Sequence, residues 1–300
     1  MLKIAFHNAF IQPLPEGHRF PMIKYELLPQ QLLLEGTIEQ DNLFQPGLIA
    51  RKDVLAVHQE QYFDNLLQLK ITPKEQRISG FPHDEKLIIR EQLIMEGTRK
   101  CAEYALQYGI SMNIAGGTHH AYTDHGEGFC LLNDQAIAIQ WLLNQQLAKN
   151  VLVIDLDVHQ GNGTAEIFQN TPEVFTFSMH GKNNYPLKKE VSDLDIPLVD
   201  GIKDKDYLYT LEKLLDQILT HFSPDFIFFQ SGVDILETDK LGRLAVTQDG
   251  CKQRDHIVLN LAKELNVPIV VSMGGGYSKE IKHIVEAHAN TYRLAQEIYF

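Results

Sequence analysis

The stretch VLVIDLDVHQGNG, residues 151–163, decides the fold. Its first four residues are an unbroken aliphatic run, far too short to span a membrane and too brief for a helix period. Such a run reads as a strand buried on both faces, which is the situation of a central strand in a parallel sheet. The run FIFFQ at 226–230 has the same character. Working outward, strands are expected at 3–6, 112–115, 151–157, 174–178, 225–230 and 268–272. Helices are expected near 85–108, 131–148, 204–222, 248–265 and 278–297. Strands alternating with helices imply an α/β fold whose parallel sheet is covered on both faces. No Pro/Gly-rich linker and no internal repeat divides the chain, so residues 1–300 read as one domain. Pro13, Pro15, Pro21, Pro29, Pro46, Pro73 and Pro82 punctuate the first part of the chain, where short helices and loops are expected to form a rim over the sheet.

The chain has 300 residues, 44% hydrophobic and 22% charged, the profile of a globular protein large enough to bury a substantial core. Its formal net charge of -12 disfavours phosphate backbones, so no nucleic-acid partner is expected. The same charge is compatible with a cationic substrate, or simply with solubility. Cys101, Cys130 and Cys251 lie scattered without CxxC spacing, which suits a reducing cytoplasm and argues against a disulfide framework. No stretch reads as a membrane span or a signal peptide.

Ligands of open α/β sheets gather beyond the carboxyl ends of the strands. Four polar clusters fall there. In Asp155-Leu-Asp157-Val-His159, alternation sends 155, 157 and 159 to one side if the extended backbone continues. Two carboxylates and an imidazole at a buried strand end are costly unless a cation or hydrogen bonds compensate them. The alternative is a set of caps for the following helix. Asp234, in SGVD at 231–234, is by itself a natural helix cap; beside the first cluster it becomes a third metal ligand. Two carboxylates and one imidazole with an open position suit catalytic Zn²⁺, and also admit Fe²⁺, Co²⁺ or Mn²⁺. GGTHHA at 116–121 offers adjacent histidines suited to two distinct roles in one pocket, although a His pair alone is more often structural. GGGY at 274–277 allows unusual backbone angles that could swing Tyr277 inward. Without GKS/T or GxGxxG, a nucleotide site is weakly supported there.

Taken in order, GGTHHA (116–121), GFCLLND (128–134), DLDVHQGNGT (155–164), FSMH (177–180), GVDILETDKLGRL (232–244) and GGGY (274–277) resemble the histone deacetylase family. HRFPMIKY (18–25) and the HQGNG loop are most similar to class IV deacetylases and their bacterial relatives. The resemblance implies a roughly eight-stranded parallel sheet wrapped by helices, as in arginases. It implies Asp157, His159 and Asp234 as zinc ligands, His120 as general base, His119 as its electrostatic partner and Tyr277 as hydrogen-bond donor to the scissile carbonyl. Asp155 would orient His119. Phe129, Tyr185, Gly128 and Gly275 would form the acyl-lysine tunnel, with Leu241 near its mouth. A structural K⁺ would sit by Asp155 and the backbone around Asp157, His159, Ser178 and Met179. Two departures stand out. Asn162 occupies the place of the aspartate that orients the second histidine in class I enzymes, and Met273 precedes a glycine run of only three.

The implied chemistry is hydrolysis of an amide by metal-activated water, with no acyl-enzyme. The expected substrate is an acyl-lysine in a peptide or protein, carrying acetyl or a longer acyl group. Competing readings are an acetylpolyamine amidohydrolase, a two-manganese ureohydrolase, for which the carboxylates are too few, and a non-catalytic acyl-lysine binder.

Overall fold

A computed structural model describes residues 1–300. The strands are β1 (Lys3–Ala5), β2 (Leu43–Phe44), β3 (Ile110–Asn113), β4 (Val151–Asp155), β5 (Val174–Gly181), β6 (Leu194–Leu198), β7 (Phe226–Gln230) and β8 (Ile269–Ser272). They form one eight-stranded sheet in the order β2-β1-β3-β8-β7-β4-β5-β6, with every pairing parallel. The helices are α1 (Lys24–Leu34), α2 (Arg51–Val54), α3 (Glu60–Leu67), α4 (Pro73–Ser79), α5 (Glu85–Tyr108), α6 (Asp134–Asn144), α7 (Asn162–Phe168), α8 (Asp204–His221), α9 (Gln248–Glu264) and α10 (Ile281–Tyr299). The α/β architecture and the parallel sheet agree with the sequence reading.

The central strands β3, β4, β7 and β8 are buried along their whole length. This follows from their continuous apolar runs: each face must lie against a helix layer. Several boundaries differ from expectation. Strand β3 lies two residues earlier than expected, because Gly109 ends α5 in a left-handed turn and the chain pairs at once. After Asn113 its own side chain accepts the Ala115 amide (3.0 Å), drawing the chain out of the ladder. Strand β4 stops at Asp155 rather than 157, and β5 runs on to Gly181. Helix α6 starts at Asp134, where Asn133 caps it by accepting the Ala136 amide. Strands β2 and β6 and helix α7 have no counterpart among the expected elements. Both strands are sheet edges, the first only two residues long and the second carrying Pro197, tolerable where no further partner needs its amide.

Candidate active site

The loops after β3, β4, β7 and β8 meet at one end of the sheet. Beyond Asp155 the pleat does not continue. Instead, Asp155 Oδ1 accepts the Asp157 amide (3.2 Å) and Asp157 Oδ1 accepts the His159 amide (3.0 Å). Two successive side-chain-to-backbone turns thus bring these residues inward, in place of the alternation expected from an extended strand. Asp157, His159 and Asp234 each offer a donor atom, all within 4.8 Å of one another and all buried. His159 Nδ1 lies 3.0 Å from Asp157 Oδ1 and 3.1 Å from Asp234 Oδ2.

The donor set fits a divalent cation. Two carboxylates in contact with one imidazole, shielded from water, repel each other; burial first, then Asp157, pushes the Asp234 carboxyl above the ordinary range. Lys24 is the buried cation from the N-terminal segment, but its ammonium donates to the Gly274 carbonyl (3.0 Å) and not to a carboxylate. Burial lowers its pKa to about 8, against the pull of Asp234 and Asp157. A metal ion among the three donors would relieve the carboxylate repulsion.

The glycine run is needed for close approach. The Gly275 amide donates to Asp157 Oδ2 (2.7 Å), and a Cβ at this residue would run into carboxylate oxygens of Asp157 and Asp234. Gly274 stands at φ 68° and turns the chain so that Tyr277 follows on the cavity side. The Tyr277 amide donates to Asp239 Oδ2 (2.6 Å), and the other Asp239 oxygen accepts the amides of Leu241 and Gly242. One carboxylate therefore sets both the tyrosine and the leucine expected near the tunnel mouth.

The two histidines have opposite surroundings. His119 Nδ1 bonds to Asp155 Oδ2 (2.7 Å). Burial opposes its imidazolium, but Asp155 outweighs that and leaves the pKa raised. His120 Nδ1 bonds to Asn162 Oδ1 (2.6 Å). Burial, then the neighbouring rings of His119 and His159, hold it well below the usual histidine value, so it is neutral. The Asn162 amide nitrogen donates to the Tyr122 hydroxyl (2.9 Å) and to the Glu127 carboxylate. With its nitrogen engaged there, Asn162 can present only its oxygen to His120. His120 Nδ1 must then carry the proton, leaving Nε2 as the free acceptor.

A cavity of about 420 Å³ leads in from the surface, and His120, His159 and Tyr277 lie along it with Phe129, Tyr185 and Leu241. Gly128 lines the same cavity; Gly275 lines a smaller one, about 30 Å³, immediately behind it. Gly128 and Phe129 both have left-handed backbones, φ 56° and 68°. For an aromatic residue this costs roughly 1–3 kcal/mol and persists only where the surroundings enforce it. Here the amides of Gly128 and Phe129 donate to the carbonyls of Ile78 and Ser79 (3.2 and 2.7 Å), and Phe129 packs on Phe20 and Phe81. The proline-punctuated N-terminal segment thus contributes rim and wall, as expected.

Of the residues suggested for K⁺, Asp155 and Ser178 are register partners on β4 and β5, with Met179 next along the strand. The Ser178 hydroxyl bonds to His180 Nδ1 (2.9 Å).

Four site-building residues carry no role in the sequence reading. Asp134 gathers the GGTHH loop, accepting the Gly117 and Thr118 amides and the hydroxyls of Thr118 and Thr98. Arg254, fully buried on α9, donates to the carbonyls of Leu156 and Gly232 (3.1 Å each), stapling together the two loops that carry Asp157 and Asp234. Asp239 and Glu127 complete the set. Asp134 and Asp239 sit inside motifs quoted above, a signal that was available; Arg254 and Glu127 gave none.

The histone deacetylase domain family matches residues 18–292. An uncharacterized protein of Picosynechococcus sp. is 42% identical over 296 residues, 99% of either chain. Histone deacetylase 2 of Arabidopsis thaliana is 27% identical over 277 residues, 89% of this chain and 72% of that protein. Among solved structures, an HDAC homolog from Aquifex aeolicus matches with a TM-score of 0.83 at 23% identity, covering 97% of this chain and 82% of that one. A match over nearly the whole chain, joined to a buried Asp-His-Asp group at the floor of a cavity, places this protein in the histone deacetylase family.

Proposed function

We propose that the protein is a zinc-dependent deacylase that releases acetyl or longer acyl groups from the lysine side chains of peptides or proteins. The observation that carries the reading is the buried group Asp157, His159 and Asp234, whose His159 lines one cavity together with His120 and Tyr277. Asp157, His159 and Asp234 would hold the metal, which when bound supplies a Lewis acid and lowers the pKa of water toward ~7. His120, kept neutral with Nε2 free, accepts the proton of the attacking water and passes a proton to the leaving amine. His119 stays close to Asp155, so its charge is balanced and its ring held. Tyr277 donates its hydroxyl to the developing oxyanion, an interaction worth about 3–4 kcal/mol for one well-placed donor. Phe129 and Tyr185 flank the aliphatic stem. Asp155, Ser178 and the backbone around Asp157, His159 and Met179 would hold a structural K⁺ behind the metal, as the family resemblance implies. The similarity of HRFPMIKY and HQGNG to class IV sequences supports including acyl chains longer than acetyl among the substrates.

The test is turnover of a series of acyl-lysine peptides by zinc-loaded protein, with metal content measured in parallel. Asp234→Ala is expected to abolish turnover and strip most of the metal. Full metal occupancy and near-normal rates in that variant would refute the ligand set.

A further inference from the structure

The mouth of the cavity is lined by Arg19, Arg77 and Arg243, and no aspartate or glutamate lines it. This is the reverse of the chain as a whole, which carries 27 lysines and arginines against 39 acidic residues. The three arginines come from separate segments: Arg19 from the stretch before α1, Arg77 from α4, and Arg243 from the loop after β7. All three are exposed, and Arg19 and Arg77 have no carboxylate partner. Arg243 makes a loose 3.4 Å contact with Asp200, both side chains being well exposed, so it is free to exchange partners. Carboxylates close to the cavity are already engaged: Asp239 by three backbone amides, and Glu127 by Asn162.

We infer that this arginine rim selects acyl-lysine peptides in which the residues flanking the lysine are acidic. The inference rests on the deacylase reading of the cavity floor and adds the substrate class. Guanidinium groups match carboxylates in a two-point fork, and unpaired arginines around an opening favour anions approaching it. A polyamine presents the wrong charge, since its remaining ammonium groups would have to pass three guanidinium groups. A peptide rich in lysine or arginine meets the same repulsion. The overall negative charge does not decide the matter, because exposed charges beyond about 10 Å are screened at ordinary ionic strength while the rim acts at contact.

The experiment compares kcat/KM of the zinc-loaded protein on acetyl-lysine peptides flanked by Asp/Glu, by Ser/Gly or by Lys/Arg. Free Nε-acetyl-lysine and acetylated spermidine are included. Exposed ion pairs are individually weak, so acidic flanks are expected to exceed basic ones by about tenfold at low salt, chiefly through KM, with the ratio shrinking as salt rises. Arg19→Glu/Arg77→Glu should invert the order. Fluorescence anisotropy of the same peptides, labelled, reads the rim without turnover: tighter, salt-sensitive binding of the acidic series supports the inference even if no peptide is cleaved. Cleavage with equal affinity for acidic and basic flanks, or a preference for acetylspermidine, overturns the rim while leaving the hydrolytic centre standing. Selective binding with no cleavage of any acyl-lysine overturns the deacylase reading and leaves the rim.

Discussion

Replacing Asn162 by Asp is the most informative single change in the site. The substitution places a carboxylate oxygen where the Asn162 amide nitrogen now faces Glu127. Two carboxylates about 4 Å apart repel by about 4 kcal/mol at an effective dielectric constant of 20, which equals about three pH units. Like charges this close oppose double ionisation, so the pair shares a proton over part of the assay range. Wherever that proton is off, the unrelieved repulsion turns the introduced carboxylate away from Glu127, so Oδ1 no longer stays fixed opposite His120 Nδ1; kcat for an acetyl-lysine peptide should fall by about tenfold or more, with metal content and KM little changed. Adding Glu127→Gln gives the introduced carboxylate a donor in place of a repelling charge. The double variant should recover most of the lost rate, because that carboxylate can then accept from His120 and balance its imidazolium. The assay is kcat and KM for the parent, both single variants and the double variant. Parent-like rates in Asn162→Asp, or a double variant no faster than Asn162→Asp alone, would refute this account of how His120 is held.

Tyr277→Phe removes only a hydroxyl and should lower kcat by roughly 10²–10³ with KM nearly unchanged, measured on an acyl-lysine peptide. Arg254→Met leaves Asp255 buried without its guanidinium and should destabilise the fold by about 3–5 kcal/mol in thermal unfolding; Arg254→Met/Asp255→Asn should recover part of that loss. Chelating the metal should lower the unfolding temperature, and added Zn²⁺ should restore it with the logarithm of its excess over the dissociation constant, because the cation binds only the assembled site.

The parallel sheet and its two most apolar strands were legible because burial on both faces leaves an unbroken aliphatic signature, as in Val151–Ile154 and Phe226–Phe229. Strand β6 was not, since LDIPL at an edge alternates weakly and contains a proline. Helix α7 was hidden because its start, Gly161-Asn162-Gly163, has the composition of a loop. Asp157 and His159 do come together, but through side-chain-to-backbone turns and not through strand alternation. Arg254 and Glu127 were invisible because their partners lie far away in sequence: Arg254 meets Leu156 across 98 positions and Glu127 meets Asn162 across 35. The arginine rim was obscured by the net charge, which sums over the surface and carries no information about one opening.

The strand order has a consequence for how the protein comes into being. Strand β8 is made after β3 and β7 yet lies between them, with Ile269 opposite both Ile110 and Ile227. Until it inserts, the nascent chain presents two naked apolar edges, each able to recruit a neighbouring molecule. Non-local parallel pairing of this kind is slow, so that exposure lasts. The Gly275 amide that steadies Asp157 arrives with the same strand. The cradle around Asp157 is therefore complete only once β8 has covered both edges, so the site that would hold the metal is among the last parts of the molecule to form.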